Sequence, residues 1–231
     1  MTRLRIPAVS QRTFDAVFGY VYTGLAVNLS LVVANAPLAA ALVLVRDPLA
    51  SWPFLLLLSP TLAPALAAAF AAFGALADGS TGPFAAFWRG WTRTFRPAGI
   101  VGLALATLTI VVALDLVWLA GSAYGALLAP ILVMVLVVAL ATGLTVLVAV
   151  AEQVDASLAA VVRASLFLAV RGAPLSALSL AALVTAGAAV LAQPVLGALL
   201  AVSPLLYLAY ANSRVTLVRT AGPPGQRAPI P

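Results

Sequence analysis

Six carboxylates and twelve guanidinium groups carry all the side-chain charge of a 231-residue chain that has no lysine, histidine or cysteine. Without thiolate or imidazole there is no disulfide framework, no histidine base and no usual zinc, haem or iron–sulfur ligand set. No metal or cofactor is expected, so any chemistry falls to a few groups. Asp115 in "VVALDLVW" is the most informative of them, because a carboxylate inside an apolar run is expensive and often functional. It stands close to the outer end of that run, and three roles are open to it: a structural pair with Arg46, a place on a substrate or ion path, or an exposed position. Asn28 and Asn35 lie two helical turns apart and can hydrogen-bond across helices, as packing groups or as substrate ligands. Glu152 and Asp155 share a helical face; they can neutralise Arg163 or Arg171, or hold a cation.

A second constellation is the segment "FWRGWTRTFR" at 87–96, with three arginines and four aromatics in ten positions. At about 100° per residue, Phe84, Phe87, Trp88, Trp91 and Phe95 share a sector of roughly 100°, and Arg89, Arg93 and Arg96 fall on another face. That pattern predicts a helix on the membrane boundary, its rings at headgroup level and its arginines on anionic lipid headgroups or a cytosolic partner. Nucleic-acid binding is not expected, since bases would have to stack beside the cations and these rings share a face already used by lipid or neighbouring helices.

The elements that position these groups follow from composition. The chain is 64% hydrophobic and 8% charged, against about 45–50% and about 25% in soluble domains, so most of it needs lipid as solvent. A spanning helix takes roughly 20 apolar residues, and charge-poor runs of that length occur at about 21–45, 53–77, 98–120, 126–150, 173–192 and 194–211. The fold class expected is an all-α transmembrane bundle of about six spans in one domain, residues 1–220, with cytoplasmic interfacial helices. Residues 221–231 read as a disordered tail. With both termini cytoplasmic, every arginine except Arg46 falls inside, as the excess of positive charge on cytoplasmic flanks requires.

The N-terminus imitates a cleavable secretion signal, but Pro37 directly after "ANA" hinders cleavage, and the segment is read as a retained first span. Residues 1–20 suit a short interfacial helix. Pro37, Pro60, Pro64, Pro130 and Pro204 interrupt spans; Pro60 and Pro64 are the principal kink candidates, by shaping the bundle or freeing carbonyls for a substrate. The order of span, arginine-bearing connector and span recurs after about 75 residues, as an internal repeat or as the monotony of Ala and Leu. Nucleophile–base sets, metalloprotease motifs and phosphate loops are absent, so the chain is not expected to be an enzyme or the motor of an ATP-driven transporter.

The order of Asn28-Leu29, Pro60-Thr61 with Pro64-Ala65, and Phe87-Trp88-Arg89 through Phe95-Arg96 resembles the YesL family of bacterial polytopic membrane proteins, over residues 14 to 120. Asp115 falls where such sequences often carry an aspartate. Ser30-Leu31 replaces the usual Leu-Trp, and Ala63 stands where a glycine commonly precedes the second proline. The resemblance implies a bacterial cytoplasmic-membrane protein whose relatives have no established activity but accompany carbohydrate uptake systems. The expectation is therefore a non-catalytic accessory or component of solute transport, contacting subunits of an uptake system. The alternatives are a stand-alone ion-coupled secondary transporter and a membrane enzyme on lipid-linked substrate.

Overall fold

The computed structural model describes residues 11–48, 50–59, 61–122, 124–152 and 157–221. Pro60, Asp155, residues 1–10 and the tail 222–231, on which several expectations fall, lie outside them. The described residues are helical and contain no strand: α1 (Gln11–Ala34), α2 (Ala36–Leu44), α3 (Trp52–Leu57), α4 (Leu62–Ala77), α5 (Pro83–Leu119), α6 (Gly125–Ala151), α7 (Leu158–Arg171), α8 (Ala173–Ala192), α9 (Pro194–Leu196) and α10 (Val202–Ala221). A π-helical turn, Gly197–Ala201, joins α9 to α10.

Among these residues four helices are long and apolar enough to cross a membrane: α5, α6, α8 and the helix from Pro194 through α10. A fifth crossing arises if α1 and α2 count as one bent span. Only 11% of the most apolar stretch of α5 is buried inside the protein. Ile100, Leu103, Val117 and Trp118 are each more than 60% exposed, a surface that water would not tolerate on this scale. Between Arg96 and Asp115, α5 has no charge, and at 1.5 Å per residue those positions span about 27 Å, close to the ~30 Å hydrocarbon thickness. The chain is an all-α polytopic membrane bundle.

Several expected elements differ from the observed ones. The first expected span is not one straight helix, because Pro37 offers no N–H and its ring opposes the carbonyl four residues earlier; α1 stops at Ala34, and α2 leaves at 83°. The second, expected over 53–77, divides into α3 and α4. Pro64 does not kink it: it is the third residue of α4, where no intrahelical N–H bond would be made in any case. The residues expected as a helix lying on the boundary are instead the first turns of α5, unbroken to Leu119 with Pro97 inside. The two connectors, read as an internal repeat or as the monotony of Ala and Leu, differ: the first continues into the span of α5, whereas α7 is separated from α8 at Gly172.

The core is built on α4, whose alanines leave a surface low enough for close helix approach. Ala65, Ala67, Ala68, Ala69 and Phe70 are fully buried. The α4–α5 contact is the most extensive in the protein, and Gly90 sits where a Cβ would lie 2.8 Å from the Ala71 Cβ and 3.3 Å from the Ala68 Cα. Against this pair pack α1, α6 and α10. Tyr20 of α1 meets Tyr207 of α10 edge-on at 5.8 Å, and Tyr22 and Thr23 share a depression with Gly79 and Ser80 after α4. Hence α1 begins, α4 ends and α10 ends at one end of the bundle, which also carries Arg89, Arg93 and Glu152. The hairpin from α1 to α4 leaves this end and returns to it.

Candidate functional site

Asn28 and Asn35, expected to bond across helices, each meet another element. In a helix crossing lipid every backbone carbonyl needs a partner, and the π turn after α9 disturbs that ladder. Five residues beyond Leu199 stands Pro204, which has no N–H to complete a π-type bond. The Asn28 Nδ2 donates to the Leu199 carbonyl at 2.7 Å instead. Gly24, one turn earlier on α1, leaves room for Ser203, whose Oγ would stand 3.2 Å from a Cβ placed there. Asn28 is 2% exposed, and its Oδ1 is buried with no hydrogen-bond partner.

These residues line a cavity of about 410 Å³ between α1, α4 and the π turn with α10. Tyr20, Thr23, Asn28, Ser203 and Tyr207 supply polar atoms, Phe73 and Leu76 of α4 supply apolar wall, and among the described residues no charged side chain lines it. Tyr20, Thr23 and Leu76 also border a second depression of about 600 Å³ that runs to Gly79, Ser80 and Thr81 at the arginine-bearing end. A small number of placed polar groups in an apolar cleft of this size is the ordinary form of a small-molecule site.

Asn35 stands at the break between α1 and α2. Its Nδ2 donates to the Leu31 carbonyl at 3.0 Å and its Oδ1 accepts from Thr61 Oγ1 at 3.0 Å, so the two discontinuities of the first hairpin are tied together. Thr61→Val should cost about 0.6 kcal/mol, the average for such bonds in membranes, read as a small fall in thermal unfolding temperature in detergent.

Asp115 and Arg46 are not brought together. Both are exposed and make no ion pair or hydrogen bond among the described residues, so the structural pair is absent. Asp115 lies a turn from the end of α5, near the exposed Trp118, and outside both cavities described above. Of the residues expected at the lipid or partner interface, Phe87 is fully buried. Trp88 and Trp91 are half-buried against the core, and rings from Phe84 to Phe95 meet mostly edge-on or tilted along α5, with Trp91 and Phe95 centroids 5.4 Å apart. Thus Phe87 and most of the aromatic face meet the protein's own helices; Phe84, Arg89, Arg93, Phe95 and Arg96 remain exposed.

A polar cluster that sequence proximity did not show closes the same end. The Tyr210 hydroxyl of α10 donates to Glu152 Oε1, and Arg214 Nε stands 3.6 Å from that oxygen. Glu152 therefore pairs with Arg214, not with Arg163 or Arg171. The Arg93 Nη2 donates to the Ala151 carbonyl at 3.0 Å, satisfying one of the last carbonyls of α6. Gly74 makes room for the cluster: a Cβ there would lie 3.3 Å from Tyr210 Oη and 3.5 Å from Glu152 Oε1. Arg214 and Glu152 are 41% and 28% exposed, so the ion pair itself adds little. Tyr210→Phe keeps the ring stacked on Phe70 and should cost about 1 kcal/mol, measured by thermal unfolding.

The described residues contain no cluster of three or more carboxylates placed to hold a metal ion. Comparison of the chain with protein-family models, curated proteins and solved structures gives no match.

Proposed function

We propose that the chain is a non-catalytic component of solute transport in the bacterial cytoplasmic membrane, holding an uncharged small molecule in the Asn28 cavity. The observation that carries this reading is the meeting of Asn28 with the π turn. There, interrupted helices and an unpartnered buried amide oxygen border a cavity that no described charged side chain lines. Interrupted helices at a midplane site are a recurrent transporter device, and a buried acceptor without a partner costs about 1–3 kcal/mol unless a donor reaches it. A solute hydroxyl or N–H is such a donor. A charged solute would lose its hydration with no opposite charge to meet it.

The accessory reading is favoured over an ion-coupled secondary transporter, because none of the described carboxylates lines the cavity and Asp115 stands apart from it. The YesL-like order of motifs fits the same reading and points to an uptake system as the setting. The excess of arginine supports a cytoplasmic position for the end bearing Arg89, Arg93 and Arg214. The test is a thermal-shift screen of the purified chain against uncharged solutes, polyols and sugars included, followed by uptake in membranes with and without the chain. At least one solute should raise the unfolding temperature of the wild type and not of Asn28→Ala. A screen in which both respond alike to every solute would remove the proposal.

A further inference from the structure

We propose that a second pocket, at the arginine-bearing end, binds a zwitterionic phosphate–ammonium group of the phosphoethanolamine class. The pocket has a volume of about 260 Å³ and lies between α4, the start of α5 and the end of α6. Arg89, Arg93, Asp78 and Glu152 line it, with Gly74 and Gly90 among its walls. It shares no residue with the Asn28 cavity.

The charges are divided between committed and uncommitted groups. Glu152 is taken by Tyr210 and Arg214. Arg93 uses Nη2 on the Ala151 carbonyl and Arg89 uses Nε on the Ala85 carbonyl, and each guanidinium has further N–H donors. Asp78 makes no side-chain hydrogen bond or ion pair, with Arg89, Arg93 or any other described residue. Two cations and one carboxylate therefore border one pocket without neutralising one another.

An arginine pair matches a phosphate, which guanidinium forks bind bidentately as they do a carboxylate, and phosphate is the anion that the headgroup layer supplies. A bare phosphate, however, would stand beside the Asp78 carboxylate. A ligand that carries its own ammonium turns that repulsion into attraction. Depth agrees with this choice: Arg96 closes the charge-free stretch of α5, and Arg93 lies about 4.5 Å further along the helix, within the headgroup layer that adds about 5–7 Å to each side of the hydrocarbon, with Arg89 about 6 Å further towards water. The group can come from a membrane lipid or from a free phosphoamine, and the chemistry is the same.

The experiment is a titration of the purified full chain in detergent, following Trp88 and Trp91 fluorescence, with O-phosphoethanolamine, inorganic phosphate, ethanolamine and dihexanoyl phosphatidylethanolamine as separate probes. O-phosphoethanolamine should bind at least about tenfold more tightly than phosphate or ethanolamine. Arg89→Gln should weaken it about tenfold, and Asp78→Asn should abolish the preference over phosphate. Arg96→Gln, outside the pocket, should behave as wild type. Arg93→Gln also removes the bond to Ala151, so Arg89→Gln and Asp78→Asn, at exposed positions, decide the matter if that variant is not monodisperse. Tighter binding of the short-chain lipid than of O-phosphoethanolamine identifies the bilayer as the source, and the reverse order identifies a soluble phosphoamine. Equal affinity for phosphate and O-phosphoethanolamine, an unchanged preference in Asp78→Asn, or no binding of any probe at millimolar concentration would overturn the proposal.

Discussion

Gly90→Val should loosen the whole bundle, with a loss of about 1–3 kcal/mol from overpacking, or roughly 2–4 °C of unfolding temperature per kcal/mol in a chain of this size. A Cβ at this position would lie 2.8 Å from the Ala71 Cβ and 3.3 Å from the Ala68 backbone. Neither is the far end of a flexible side chain, so α4 and α5 must separate. Because α4 walls the Asn28 cavity through Phe73 and Leu76 and the arginine pocket through Gly74 and Asp78, both sites should weaken together. Gly143→Ala is the control: its close neighbours are the terminal carbons of Leu105, which can rotate, and a much smaller change is expected. Thermal unfolding and size-exclusion profiles in one detergent compare the two variants. Equal losses would mean that the α4–α5 approach does not govern assembly.

Asn28→Ala should have the second large effect, and it acts on function as well as on stability. Truncation leaves the Leu199 carbonyl without the donor now 2.7 Å away, at a cost of about 1–3 kcal/mol for an unpaired buried group. It also removes the amide that the proposed solute engages. The π turn should become more accessible to hydrogen exchange at 197–203, and solute-dependent stabilisation should disappear. Thr23→Val, on the same wall but with its bonding role not engaged by the π turn, should keep the exchange pattern of the wild type. If Asn28→Ala retains full solute response, the amide is a packing group and the cavity has another use.

Much of the architecture can be read from where charge is missing. The charge-free runs at 126–150 and 173–192 correspond to α6, Gly125–Ala151, and α8, Ala173–Ala192, because lipid leaves a backbone few options besides the helix. Hydropathy is silent about direction, however. The nine residues of α2 are more apolar than those of α1, and the 83° turn between them comes from a missing N–H at Pro37, not from a polar residue within α2. The helical wheel at 84–96 separates rings from guanidiniums, yet it leaves open whether lipid or neighbouring helices meet the rings. Phe87 is buried because α4 offers a smooth alanine surface, and that is a property of a helix some twenty residues away.

The sites were legible in part. Asn28 and Asn35 draw notice on sequence alone, since amides in apolar helices need partners; their partners, Leu199 and Thr61, come from other elements and carry no local signal. Glu152 shows the same limit more sharply. Arg163 and Arg171 are nearer in sequence, but α10 returns past the end of α6 and delivers Tyr210 and Arg214 to the carboxylate. Asp78 passes unnoticed in the turn "ADGS" until the fold sets it beside Arg89 and Arg93. The π turn has no motif beyond Pro204, whose effect depends on which carbonyl it leaves unserved.

In the proposed orientation α5 carries its charge-free stretch through lipid, with the arginines on the cytoplasmic face and Asp115 and Trp118 at the other. The absence of native cysteine makes single-cysteine labelling the direct measurement, at the exposed positions Thr92 and Ala120. In intact cells a membrane-impermeant maleimide should label Ala120→Cys, whereas Thr92→Cys should react only after permeabilisation. Labelling of both positions from outside, or of Thr92→Cys alone, would contradict the account.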